Sequence, residues 1–173
     1  ILEHIHGYNL KQIINTAIAI NKPFKLETVL YLLQEISKGL SYLHKDNFSE
    51  TPESPVIHRD LSPQNIMISK EGAVKIIDFG ISKSPEDENL TAIGDLKGKV
   101  SYMSPEQSRG EDLTSATDIF SLGLLGIELL TGEKIIKSEN NLAENLKILN
   151  TWSDVDVQSC LAQVPESLKP LFS

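Results

Sequence analysis

The sequence predicts a mainly α-helical domain that carries short β hairpins. Apolar residues recur at steps of three and four over several long segments, and two short apolar runs flank a turn that contains glycine. The first pattern is typical of amphipathic helices, and the second is typical of a hairpin. With 173 residues, 40% of them hydrophobic, the chain can build one core, so it forms one domain or part of one.

The first half of the chain contains two predicted helices. Residues 10–21 carry apolar side chains at helical spacing, and Pro23 is expected to end that helix because proline cannot continue it. The segment from Leu26 to Lys45 has the strongest helical pattern in the chain. Its apolar stripe is interpreted as a surface that packs against the core.

Two further helices are predicted in the second half. Thr117 to Leu130 is apolar on most faces, which is typical of a buried helix. Thr114 or Ser115 could cap its start, and Gly132 is a suitable stop. Residues 139–150 form a second, amphipathic pattern.

Between these helices the sequence predicts short strands and loops. Ile66 to Ile68 and Val74 to Ile77 flank Lys70-Glu71-Gly72 and are predicted to pair as a hairpin. Val56-Ile57 is predicted to be a short strand. Residues 48–55 and 82–97 are polar and are predicted to be loops.

Composition excludes several classes of partner. The net charge of -8 argues against a nucleic-acid footprint, which would be basic, and gives no reason to expect an anionic membrane as partner. Cys160 is the sole cysteine, so no internal disulfide can form, and this fits a reducing cytoplasm. No apolar run approaches the roughly 20 residues of a membrane span. We therefore expect a cytoplasmic segment that contacts neither nucleic acid nor membrane. A membrane tether elsewhere in the full-length chain remains compatible with this expectation.

Side chains that offer oxygen ligands flank the predicted hairpin. Asp60 and Asn65 precede it, and Asp78 follows it. An aspartate can accept the proton of an attacking hydroxyl, and an asparagine with a second aspartate can hold magnesium on nucleotide phosphates. The spacing is therefore the one that phosphoryl transfer requires.

Four motifs occur in the order found in eukaryotic-like protein kinases, and the chain resembles that family, in its bacterial-type branch, over nearly its whole length. The motifs are His58-Arg59-Asp60-Leu61-Ser62-Pro63-Gln64-Asn65, Asp78-Phe79-Gly80, Tyr102-Met103-Ser104-Pro105-Glu106 and Asp118-Ile119-Phe120-Ser121-Leu122-Gly123. The resemblance implies a kinase C-lobe fold of the α+β type and ATP and Mg²⁺ as cofactors.

The resemblance assigns roles to the central residues. Asp60 would be the catalytic base, and Asn65 and Asp78 would be magnesium ligands. His58 and Phe79 would stack in the core that aligns the loops. Structural roles would also fall to Glu106, at the end of the activation segment, and to Asp118, which would accept backbone N–H bonds from the catalytic loop.

Residues 1–10 resemble the hinge between kinase lobes. On that match the Glu3 carbonyl and the Ile5 amide would bond the adenine edge. Asn9 would lie near the ribose, and Met67 would form the floor beneath the base.

Two positions depart from the serine/threonine kinase pattern. The family usually has lysine two residues after the catalytic aspartate, where this chain has Ser62, and threonine after the glycine of the activation segment, where this chain has Lys99. We hypothesise an exchange in which Lys99 supplies the ammonium and Ser62 the hydroxyl. The alternative is a surface Lys99 in a weakened or inactive kinase.

The regulatory residues of the family have partial counterparts. Arg59 would pair with a phosphate on the activation segment, and Asp95 fills the usual phosphosite position, where it would be a permanent and weaker partner. The alternative is that Asp95 is a solvated loop charge. Thr91 and Ser101 stay candidate phosphosites.

The resemblance implies that residues 1–173 form a partial kinase domain, with the hinge and most of the C-lobe, truncated at both ends. The family's glycine-rich loop and strand lysine have no counterpart in the chain, so the N-lobe is expected to be a missing partner. We expect the isolated chain to have little or no kinase activity.

Three functions are compatible with these motifs. Pro63 and Tyr102 favour a kinase that phosphorylates serine or threonine in a protein substrate. A small-molecule kinase of the aminoglycoside or choline type shares the H-x-D-x-x-x-x-N pattern but lacks the S-P-E segment. A pseudokinase, which would act as an ATP-binding or scaffold module, is opposed by the intact Asp60, Asn65 and Asp78 but is left open by Ser62.

Overall fold

The computed structural model of the chain describes residues 4–45, 56–78, 100–137 and 142–153, together with residues 159, 162 and 164. Helices dominate these residues, and three short strands form one antiparallel sheet. This confirms the predicted class of helices with a small antiparallel sheet. In chain order the elements are β1 (Gly7–Asn9), α1 (Leu10–Ala19), α2 (Leu26–Leu43), a 3₁₀ turn (Pro63–Asn65), β2 (Ile66–Ser69), β3 (Val74–Ile76), α3 (Pro105–Arg109), α4 (Ser115–Thr131) and α5 (Leu142–Asn150).

The sheet joins the predicted hairpin to a strand that the sequence did not reveal. Strands β2 and β3 pair in antiparallel register, with Ile66 opposite Ile76. Strand β1 adds to the other edge of β2, with Gly7 opposite Ser69 and Asn9 opposite Met67. The segment that leads into α1 is therefore fixed to the hairpin.

The prediction of a short strand at Val56-Ile57 is wrong. Both residues have no regular secondary structure. The next two backbone amides, those of His58 and Arg59, donate to the side chain of Asp118 rather than to a neighbouring strand. A side-chain acceptor thus takes the place of a strand partner.

Helix α1 begins at a well-formed cap and ends earlier than predicted. The Asn9 side chain accepts from the Gln12 amide, while the Gln12 side chain accepts from the Asn9 amide, which is a capping box. The helix ends at Ala19, and Asn21 adopts a left-handed φ of 49°. Asparagine tolerates that conformation, so the chain turns before Pro23 is reached.

The core lies between α2, α4 and the sheet. Helix α2 packs against α4 and β3. Four residues of the predicted stripe are buried, namely Val29, Ile36, Leu40 and Leu43, whereas Leu26 and Leu30 are exposed. Helix α4 is buried on most faces, as predicted, and Thr114 caps it while Gly132 ends it at a left-handed φ of 77°. Among the described residues, no helix is both long and apolar enough to span a membrane.

Polar side chains of α4 tie the segment before α3 to the core. The Ser121 hydroxyl donates to the Tyr102 carbonyl at 2.7 Å. The Tyr102 hydroxyl donates to the carboxylate of Glu128, and the Lys134 ammonium lies 5.0 Å from the Tyr102 ring centroid. Burial, and then the charge of Glu128, raise the pKa of Tyr102 well above its ordinary value, so its hydroxyl stays protonated and remains a donor.

Replacing Gly7 by alanine should destabilise the fold. A Cβ at Gly7 would lie 2.0 Å from the backbone oxygen of Ile68, so strand β1 could pair with β2 only after the backbone shifted. We expect a loss of about 1–3 kcal/mol in the free energy of unfolding, measured by urea denaturation.

Gly123→Ala is the matched control for this substitution. Gly123 lies inside α4, and a Cβ there meets no atom of another described element within 4 Å. Alanine is the better helix former, so this variant should gain about 0.5–1 kcal/mol. Equal effects of the two substitutions would contradict the β1–β2 contact seen in the structure.

Candidate active site

The loop that carries Asp60 adopts an unusual backbone conformation. Arg59 has a φ of 65°, in the left-handed region that non-glycine residues seldom occupy. Such a residue costs on the order of 1–3 kcal/mol and persists only where the surroundings hold it in place. Hydrogen bonds to the side chains of Asp118 and His58 supply that constraint.

A buried carboxylate lies beneath this loop. Asp118, in the first turn of α4, is fully buried. Its Oδ2 accepts the His58 amide at 2.8 Å, and its Oδ1 accepts the Arg59 amide at 3.0 Å. This is the contact expected from the sequence for Asp118, and both oxygens of the carboxylate take part.

His44 provides a third donor to the same carboxylate. Its Nε2 lies 2.7 Å from Asp118 Oδ2, at the C-terminal end of α2. One side chain therefore joins α2, α4 and the loop. Sequence reasoning did not single out His44, and no local pattern distinguishes it from other polar residues at a helix end.

The His58 ring connects the loop to the residue before Asp78. It is fully buried, its Nε2 lies 3.1 Å from the Ile77 carbonyl, and its Nδ1 accepts the Asp60 amide at 3.3 Å. Since a carbonyl can only accept, Nε2 carries the hydrogen and Nδ1 is the acceptor. His58 thus contacts the backbone on both sides of the hairpin.

Asp60, Asn65 and Asp78 are linked by one side-chain bond and one backbone bond. Asn65 Nδ2 donates to the Asp60 carbonyl at 2.8 Å, and the Ile77 amide donates to the Asn65 carbonyl at 2.9 Å. Asp78 follows directly, is exposed, and has a left-handed φ of 56°. The structure thereby brings the three predicted residues to one end of the hairpin.

The oxygen donors available here fit magnesium. Among the described residues, no group of three His, Cys, Asp or Glu side chains could hold a metal by itself. Mg²⁺ is usually bound through one or two carboxylates together with substrate phosphates, rather than in an all-protein cage. One carboxylate and one carboxamide, at Asp78 and Asn65, match that requirement.

Ser62 is an unusual part of the loop. Its side chain is buried, with 3% exposed, and among the described residues its Oγ has no hydrogen-bond partner. A buried hydroxyl without a partner lowers the stability of the fold, so a hydrogen bond to this atom would be favourable.

The described residues of the predicted nucleotide site lie on the first two strands of the sheet or just before them. Asn9 and Met67 are cross-strand partners on β1 and β2, and Ile5 precedes β1 and is partly buried. The carboxamide oxygen of Asn9 already caps α1. A ribose contact by Asn9 would therefore use its nitrogen.

The residues of the S-P-E segment are also tied to this region. Glu106 accepts a bond from Thr117 Oγ1 at 2.8 Å. Gln107, for which the sequence analysis predicted no contact, donates from Nε2 to the Arg59 carbonyl at 2.7 Å. Ser101 is buried, with 2% exposed, so its phosphorylation would require the segment to open.

Five predicted site residues lie outside the described part of the chain: Glu3, Phe79, Thr91, Asp95 and Lys99. Their assigned roles stay predictions.

Comparison with known proteins places the chain in a family. The sequence profile of the protein kinase domain matches residues 1–170. The chain is 35% identical, over 85% of its length, to the probable serine/threonine-protein kinase PknB of Lactococcus lactis, and 34% identical, over 82%, to serine/threonine-protein kinase A of Synechocystis. It is also 34% identical, over 82%, to the tyrosine-protein kinase MasK of Myxococcus xanthus.

The chain belongs to the protein kinase family, and its bacterial relatives confirm the resemblance found in its motifs. The alignments cover only 22%, 27% and 22% of these three relatives, so the chain spans about a quarter of their length.

Replacing Asp118 by asparagine should destabilise the protein. The carboxamide would present an N–H group to one of the two backbone amides that now donate to the carboxylate, leaving a buried donor unsatisfied. We expect a loss of about 1–3 kcal/mol in unfolding free energy, measured by urea denaturation.

Asp112→Asn removes the same charge from an exposed position and serves as the control. It should change the unfolding free energy by less than about 0.5 kcal/mol. If the two variants were equally stable, Asp118 would not be holding the loop.

Proposed function

We propose that this chain supplies the catalytic loop and the metal ligands of a protein serine/threonine kinase, which transfers the γ-phosphate of ATP to a protein hydroxyl. The observation that carries the proposal is the linkage of Asp60, Asn65 and Asp78 by the Asn65 side chain and the Ile77 amide. Phosphoryl transfer depends mainly on positioning and charge stabilisation, so a fixed arrangement of these groups is what the reaction needs.

Asp60 would orient the substrate hydroxyl and accept its proton. Carboxylates are weak bases toward alcohols, so holding the hydroxyl in line is the main contribution of Asp60. The loop supports this task because contacts from His58 and Asp118 fix the backbone on the N-terminal side of Asp60.

Asn65 and Asp78 would hold Mg²⁺. The ion, when bound with ATP, would neutralise charge on the phosphates during transfer. Because Asn65 Nδ2 is engaged by the Asp60 carbonyl, the carboxamide oxygen is the atom that would serve as ligand.

ATP would bind at the edge of the sheet. The backbone of Glu3 and Ile5 would meet the adenine, Asn9 the ribose, and Met67 the lower face of the base. The pairing of β1 with β2 supports this, since it places Asn9 beside Met67. A glycine-rich loop and a strand lysine are absent from residues 1–173, so an N-lobe would have to cover the nucleotide.

Lys99 would replace the lysine that the catalytic loop lacks. The buried, unpartnered hydroxyl of Ser62 supports this, because an ammonium would satisfy it. A flexible, singly charged lysine needs no fixed fork geometry and can reach the site from another loop.

Regulation would act through Arg59, whose side chain is next to the base. Asp95 would give it a permanent partner, and phosphorylation of Thr91 or Ser101 would give a stronger one, because a phosphate carries more charge and more acceptor oxygens. The exposed position of Arg59 supports its availability to such a partner.

Replacing Asp60 by asparagine in the full-length protein should lower kcat by about 100- to 10,000-fold and leave the ATP KM nearly unchanged. The readout is transfer of labelled phosphate to serine, threonine and tyrosine peptides. Asp112→Asn is the control and should keep full turnover. Transfer mainly to tyrosine would contradict serine/threonine specificity, and Mg²⁺-dependent ATP binding without any transfer by the wild type would indicate a pseudokinase.

Ser62 and Lys99 are the two residues that differ from the serine/threonine kinase pattern, and substituting both tests the role of Lys99. Ser62→Lys and Lys99→Thr should each lower kcat, because the first adds a second ammonium and the second removes the only one proposed. The double variant should recover part of the lost turnover, which a double-mutant cycle measures. Additive losses would show that the two positions do not cooperate.

A further inference from the structure

The peptide that joins Arg59 to Asp60 is held at both of its polar atoms. Its carbonyl oxygen, from Arg59, accepts Gln107 Nε2 at 2.7 Å. Its amide hydrogen, from Asp60, is donated to His58 Nδ1 at 3.3 Å. A peptide group is planar, so two bonds on opposite sides fix its rotation. That rotation sets the direction in which the Asp60 side chain leaves the backbone.

Gln107 is itself rigidly placed. It is the third residue of α3, and its Oε1 accepts the Ser104 amide at 3.0 Å while the Ser104 hydroxyl accepts the Gln107 amide at 3.3 Å. This capping box holds the side chain at its oxygen and leaves the nitrogen facing Arg59. Glutamate would complete the same box equally well, but only glutamine also offers an N–H donor.

We propose that Gln107 is a positioning residue for phosphoryl transfer, and that it acts by donating to the Arg59 carbonyl and so orienting Asp60. The inference rests on the proposed function of Asp60. It also joins the S-P-E segment to the catalytic loop through one side chain, since α3 begins directly after Ser104. A change in the position of that segment would therefore reach the base through this bond.

Three substitutions separate positioning from helix capping. Gln107→Glu keeps the acceptor for Ser104 and loses the donor to Arg59. Gln107→Lys keeps a donor and loses the acceptor, and Gln107→Met loses both. If Gln107 only caps α3, activity should follow the acceptor, and the glutamate variant should match the wild type. If it positions Asp60, activity should follow the donor.

The expected result, in the full-length protein, is a fall of about tenfold in kcat for Gln107→Glu, with the ATP KM and the melting temperature nearly unchanged. Gln107→Lys should be more active than Gln107→Glu despite its weaker cap. Gln12→Glu is the matched control, because Gln12 forms the same capping box in α1 and, among the described residues, no hydrogen bond joins its side chain to the catalytic loop. It should leave kcat unchanged.

A second readout does not depend on activity. Hydrogen–deuterium exchange of the segment 58–65 should be faster in Gln107→Glu than in Gln12→Glu, because the Arg59–Asp60 peptide has lost one of its two constraints. If the wild type is active and Gln107→Glu has the same kcat, the role of Gln107 is refuted and the proposed function is not affected. A wild type without phosphoryl transfer would instead refute the proposed function, while the exchange rates would still decide whether Gln107 holds the loop.

Discussion

The carboxylate of Asp118 is the contact on which the rest of the site depends. It is fully buried and accepts two backbone amides of the catalytic loop, and His44 contacts it from α2. A buried carboxylate is costly unless its oxygens are satisfied, and here donors from two other parts of the chain satisfy them. The loop is thereby bound to the two central helices of the core, and its left-handed Arg59 can persist.

The order imposed by this anchor extends to the predicted metal ligands. His58 connects the loop to Ile77, and Ile77 in turn bonds the Asn65 carbonyl. The hairpin between them is short, so small backbone shifts would move Asp78 relative to Asn65. Strand β1 pairs with the same hairpin, which ties the predicted nucleotide edge to the predicted metal ligands. The site is therefore a set of loops fixed to one small sheet and one buried helix.

Local pattern predicted most helices and the hairpin, because periodicity reports which face of an element is buried. It missed β1, since three residues acquire strand structure only through pairing with a distant β2. It wrongly made Val56-Ile57 a strand, since the adjacent amides bond to a side chain 60 residues away. The motifs identified Asp60, Asn65 and Asp78. His44 and Gln107 went unrecognised as contacts because their partners lie 74 and 48 residues away, and no local signal reports such pairs.

Amide hydrogen exchange of His58 and Arg59, followed by NMR on the folded protein, tests the central claim most directly. If the Asp118 carboxylate holds the loop, both amides should exchange as slowly as the amides of the buried helix α4, although they lie in a segment without regular structure. Exchange of either amide at the rate of an exposed loop would contradict the claim that Asp118 anchors the site.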